Sequence, residues 1–214
     1  MPEVIETTVY KYYELSDKAK EVAISWHRDH LQHDEWWDYI YDDFQRICDI
    51  LGIHLKSKPV RGISGKLRAE PCIYFTGFWN QGDGACFEGC WTYAARAPAR
   101  IRDYAPTDTA LHHIADQLQA LQRRNFYQLV ADVRHVGRYC HANSMVISVK
   151  RNSPTGQPPT EGAEDVVTQI LRDLACWLYR RLEEEYEYLT SDEVVVEGII
   201  ANAFRFTDGG QYFG

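Results

Sequence analysis

No stretch of this 214-residue sequence approaches the roughly 18 uncharged apolar residues that a membrane helix requires. The opening Met1-Pro2-Glu3-Val4 has neither the basic nor the apolar region of a signal peptide, so a soluble, cytoplasmic protein is expected. The sequence has no Walker loop, Rossmann fingerprint, nucleophile elbow or zincin motif, so no cofactor is expected. Internal repeats are absent as well. The six cysteines are scattered through a chain long enough to build a core without covalent staples, and free thiols are expected. Positive charge is also in short supply. Net charge is −8, and from Arg151 onward twelve acidic residues face five basic ones. Of the 31 acidic and 23 basic residues, that leaves nineteen and eighteen in the first 150, so nearly all of the imbalance belongs to the last 64. Such a surface repels phosphate and suits a basic protein partner, or a protein surface that itself binds DNA.

What is present reads as an α+β fold. Residues 4–13 alternate β-branched or aromatic residues with charged ones, which predicts a strand. Ser16 caps a first helix with Ala19, Val22, Ala23 and Trp26 on one face. A second helix is expected from Asp34, through Ile40, Phe44 and Ile47, to Gly52. Two hairpins follow. The first runs from Cys72 to Tyr93 around Asn80-Gln81-Gly82-Asp83-Gly84, and the second from Leu129 to Lys150 around residues 137–143. Between them Asp108 caps a helix bearing Leu111, Ile114, Ala115, Leu118 and Leu121. Residues 152–162, rich in Pro, Ser, Thr and Gly, read as a linker before a C-terminal helical segment over 163–203, whose last helix is capped by Asp192. The economical packing is a single domain over 1–214. It has a mostly antiparallel sheet, made from the N-terminal strand and the two hairpins, with helices mainly on one face.

Two loops could carry chemistry. The segment 77–89 holds four glycines and sets Gln81, Asp83 and Glu88 beside Trp79, which suits close approach of a ligand; a plain hairpin turn needs Gly and Asp too. The segment 135–144 gathers His135, Arg138, Tyr139, His141 and Ser144. If the loops face each other, His141 becomes a candidate general acid or base, Asp83 or Glu88 its carboxylate, and Arg138 an anion clamp. Cys86, Cys90, Cys140 and His141 number enough for a zinc site. Cys86 and Cys90, however, lie roughly 13 Å apart along one strand, so no metal is expected. His27, His30 and His33 fall at helical spacing near a helix end, where imidazolium favours the dipole; His112 and His113 read as a solvated pair.

Four segments carry a family resemblance: Tyr12-Tyr13-Glu14-Leu15-Ser16-Asp17-Lys18-Ala19-Lys20, Gly77-Phe78-Trp79-Asn80-Gln81-Gly82-Asp83-Gly84-Ala85, Arg138-Tyr139-Cys140-His141 and Asn202-Ala203-Phe204-Arg205-Phe206-Thr207-Asp208-Gly209. Through them the chain resembles a family of phage- and prophage-encoded proteins, alike over nearly the whole chain. Some members carry an antitoxin label, and the setting in mobile elements fits anti-defence proteins such as anti-CRISPRs. The resemblance implies stoichiometric binding to a host or toxin protein and supplies no catalytic residues. For such binding the candidates are Trp79, Gln81, Arg138 and Tyr139, with the acidic run Glu183, Glu184, Glu185 and Glu187 facing a basic partner. One alternative is a small hydrolase or transferase built on Asp83, Glu88 and His141. A second is nucleic-acid binding through the basic segment 56–68, with Lys56, Lys58, Arg61, Lys66 and Arg68.

Overall fold

The computed structural model describes residues 6–31, 35–61, 65 and 67–214, and the chain divides into two compact units. The predicted helix start at Asp34, together with His33 and Lys66, lies outside the described residues. The fold is α+β, and every strand pairing is antiparallel.

The larger unit spans Tyr39–Arg181. Its main sheet has four strands: β1 (Ile53–Leu55), β6 (Gly89–Trp91), β7 (Leu129–His135) and β8 (Met145–Arg151), in the order β1-β6-β7-β8. One face buries Ile53, Trp91, Leu129, Ala131, Val133, Met145 and Val149. The other presents Val130, Asp132, Arg134, Val146, Ser148 and Lys150 along an open groove. This is the alternation expected of an antiparallel sheet covered on one side. The covering helices are α2 (Asp38–Leu51), α4 (Thr109–Arg124) and α5 (Ala163–Leu189). Each reaches the sheet through a polar contact. The Trp91 indole N–H donates to the Leu51 carbonyl (3.2 Å), Gln122 bonds both backbone groups of Leu129, and Arg172 donates to the Met145 carbonyl (3.4 Å). Two ribbons complete the unit: β2 (Ser57–Arg61) with β3 (Leu67–Pro71), and β4 (Ile73–Thr76) with β5 (Gly84–Phe87).

Both expected hairpins form. The strand predicted over 85–93, however, breaks at Glu88, whose N–H donates to the Cys72 carbonyl (2.9 Å) while its carbonyl accepts from the Lys56 N–H (2.9 Å). β5 therefore stays with β4, and β6 crosses to the main sheet. Residues 152–162 link β8 to α5 within the larger unit. The strand β1 and the helix α3 (Ala97–Tyr104) have no counterpart in the sequence reading.

The smaller unit combines Met1–Asp38 with Leu182–Gly214. Its core is Leu15, Ala19, Ala23, Val195, Ile199 and Phe206, drawn from the residue pair before α1 (Asp17–Leu31), α1 itself, α6 (Asp192–Ala201) and the C-terminal tail. The predicted N-terminal strand is corrected here. Its described part is irregular, apart from a single bridge from Tyr10 to Phe206 and a short 3-10 turn at Tyr12–Glu14. Aromatic packing replaces a ladder, with Trp26 stacked on Tyr212 (4.2 Å) and set edge-on to Phe206 (5.9 Å). The buried face of α1 is Ala19, Ala23 and His27, four residues apart, and Val22 is exposed. Ser16 accepts from the Ala19 N–H (3.3 Å), as a cap should. The cap of α6 is Ser191, not Asp192: the Ser191 hydroxyl accepts from the Val194 N–H (3.4 Å).

Candidate functional site

In the larger unit, the two loops singled out by sequence lie against each other. Between them is an open cleft of about 330 Å³, lined by Gly82, Asp83, Gly84 and Ala85 on one side, His141, Ala142 and Asn143 on the other, and Ala175, Cys176 and Tyr179 of α5. Gly84 is what lets them meet. A Cβ there would stand 2.5 Å from the His141 Cβ and 2.8 Å from its Cα, so any larger residue drives the loops apart. The Tyr139 ring likewise lies on Gly82, its Cδ1 3.0 Å from where a Cβ would be. From below, the Tyr179 hydroxyl donates to the Gly77 carbonyl (3.1 Å) and its ring packs on Phe78 (5.5 Å).

Asp83 and His141 are each committed to their own loops. Asp83 Oδ2 accepts from the backbone N–H groups of Trp79 (3.1 Å) and Asn80 (2.7 Å), closing the glycine-rich turn. His141 Nδ1 accepts from the Asn143 N–H (3.0 Å), while Ser144 Oγ donates to the His141 carbonyl (2.7 Å). An Nδ1 that accepts leaves the ring proton on Nε2, so the neutral imidazole presents a donor to the cleft; base chemistry at Nε2 requires the other tautomer.

Glu88 is not among the residues lining the cleft. It belongs to a neighbouring cluster in which the Tyr74 hydroxyl donates to its Oε1 (3.4 Å) and Lys56 Nζ lies 3.6 Å from its Oε2. The Lys58 ammonium stands 4.9 Å from the centre of the Tyr74 ring. Burial first, then Cys72 and Glu88, raises the Tyr74 hydroxyl above its ordinary value.

The binding candidates fall in two places. Trp79 and Tyr139 stand at the rim, 75% and 54% exposed, and Arg138 lies over the Tyr139 ring (5.8 Å). Gln81, also exposed, sits in the same turn. Glu183, Glu184, Glu185 and Glu187 occupy the end of α5, in the smaller unit. At about 100° per residue, Glu183, Glu184 and Glu187 share one side and Glu185 points elsewhere, so the run is not one face. Among its described residues the basic segment 56–68 forms no single stripe either. In the β2–β3 ribbon the register puts Lys58 and Arg68 on one face and Arg61 on the other, and Arg68 pairs with Glu70 (2.8 Å).

The cysteines and histidine weighed as a zinc set from sequence do not come together as a group of four. Cys90 sits on β6 between His54 and Asp132, and His141 faces the cleft. Cys86, His135 and Cys140 instead converge, with one donor atom of each within 4.8 Å of the others. Burial first, then the adjacent Cys140 thiol, pushes the Cys86 thiol up to about 12, against an opposing hydrogen bond from Ser144. His135 was legible only as one polar residue among several in its loop. Its partnership with Cys86 spans two separate strands, which spacing along the chain does not reveal.

An α+β protein with a two-loop cleft on its larger unit is the class that these features define. The chain belongs to the family described as a domain of unknown function (DUF8835), whose profile matches residues 36–192. No curated protein and no solved structure matches it.

Proposed function

We propose that the protein acts by stoichiometric binding of a host or toxin protein in the cytoplasm, and that the rim of the two-loop cleft is its contact surface. One observation carries this reading. Asp83 and the Nδ1 of His141 are spent on holding their loops, whereas Trp79, Arg138 and Tyr139, residue types that anchor protein interfaces, are exposed on the same two loops. The resemblance to phage-encoded proteins supports a host or toxin protein as the partner. The acid-rich C-terminal portion favours a basic one by steering encounter.

The test is co-purification from the bacterial host followed by titration of the partner recovered. Trp79→Ala and Tyr139→Ala should each weaken binding by about 2 kcal/mol, roughly thirtyfold in Kd. Reversing Glu183, Glu184, Glu185 and Glu187 to lysine should mainly slow association and steepen with falling salt. Binding that survives both rim variants and vanishes on charge reversal would move the contact surface to the end of α5.

A further inference from the structure

We propose that Cys86, His135 and Cys140 form a zinc site that pins the loop between β7 and β8 to strand β5. The three donors come from separate backbone segments: Cys86 from β5, His135 from the last position of β7, and Cys140 from the loop itself. Their donor atoms already lie within 4.8 Å of one another. In a tetrahedral site with Zn–S near 2.3 Å and Zn–N near 2.0 Å the donors stand roughly 3.5 Å apart, so only a small closure is needed.

The second shell fits as well. His135 Nε2 donates to the Tyr139 carbonyl (3.0 Å), which leaves Nδ1 with its lone pair and holds the ring in place. The Tyr74 ring, 5.4 Å from the imidazole, braces its other side. Two sulfurs, one nitrogen and no carboxylate make a soft set that selects zinc over magnesium or calcium. Cys86 is fully buried, and Cys140 and His135 are half-buried, so an ion can enter from their side. Gly84, two residues before Cys86, brings the backbone at Cys140 and His141 onto β5.

Binding is proton release without redox change. Each thiol gives its proton to solvent, His135 binds neutral, and water completes the fourth position. The loop so clamped carries Arg138 and Tyr139, yet the site stands whether or not that rim binds a partner.

The experiment is metal analysis of the reduced, full-length protein, followed by titration of the metal-free form with zinc and with cobalt(II). About one equivalent of zinc is expected, together with the thiolate-to-cobalt charge-transfer and visible bands of a tetrahedral site. Cys140→Ser and His135→Gln, at the rim of the fold where folding should survive, should each weaken binding at least about tenfold. The exposed Cys176→Ser should leave it unchanged. Failure of the wild-type protein, with all six thiols titratable, to take up either ion would overturn the proposal. Unchanged affinity in Cys140→Ser would do the same, as would a Cys86–Cys140 disulfide found in place of metal.

Discussion

At the scale of single residues, the least comfortable group in the smaller unit is His27. It is buried on α1, its Nδ1 has no hydrogen-bond partner among the described residues, and its Nε2 lies 3.1 Å from where a Cβ on Gly198 of α6 would be. Phe204 and Trp26 flank the ring, and His30 acts on it as a like charge. Burial first, then His30, lowers its pKa below the ordinary value near 6.5. The folded state therefore disfavours the proton that the unfolded chain accepts. Between the lowered folded pKa and the unfolded one the unfolded state binds more protons, so stability is complete above about 6.5 and falls as pH drops through that window. Urea midpoints measured from about pH 8 to about pH 5 should decline, and His27→Phe should flatten the decline. An equal slope in the variant would assign the acid sensitivity to other groups.

At the scale of elements, one carboxylate joins two helices. Asp108 Oδ1 accepts from the Leu111 N–H (2.9 Å) and caps α4, while its Oδ2 accepts from the Trp177 indole on α5 (2.8 Å). Asp108→Ala removes a cap and leaves the indole N–H of buried Trp177 without its acceptor, at a cost of about 2–3 kcal/mol. Asp108→Asn keeps one acceptor oxygen, so it should retain the cap or the indole bond but not both, and cost about half as much. Chemical denaturation of both variants checks this order. Equal costs would mean that the single amide oxygen preserves neither bond, and an Asp108→Asn cost near zero that the cap alone matters. The cap at Asp108 was legible from sequence because capping is local and the apolar period after it is regular. The same locality explains Ser16, and it misled at Asp192, where Ser191 one residue earlier has the better-placed oxygen. The elements that escaped were those whose reason is distant. β1 is three residues long and exists because β6 pairs with it. The break at Glu88 exists because Cys72 and Lys56 hold its backbone. The juxtaposition of the two loops followed from adjacent hairpins, but the separation of Glu88 from His141 followed from that break.

At the scale of the molecule, four of the segments singled out by sequence meet in pairs. Residues 12–20 and 202–209 build the core of the smaller unit around Leu15, Ala19 and Phe206, and residues 77–85 and 138–141 build the cleft of the larger one. The family profile covers 36–192, mostly the larger unit, so the cleft lies within the part the family shares. No helix among the described residues is long and apolar enough to cross a membrane.

The distribution of charge over the molecule bears on the nucleic-acid reading. With a net charge of −8, binding to phosphate requires a local cationic stripe strong enough to outweigh the whole. The described residues of the basic segment do not supply it. Lys56 is held by Glu88 (3.6 Å) and Asp132 (4.0 Å), Arg68 by Glu70, and the pleat turns Arg61 away from Lys58 and Arg68. Each neutralised cation loses the counterion release that drives DNA binding. Fluorescence anisotropy with a short duplex at about 0.15 M salt should therefore show no saturable binding below roughly 100 μM. Micromolar binding that weakens steeply with salt and is lost in Lys58→Ala and Arg61→Ala would reverse this conclusion. It would mean that the ribbon bends to bring its two faces onto one phosphate backbone, and that the acidic C-terminal portion lies away from the duplex.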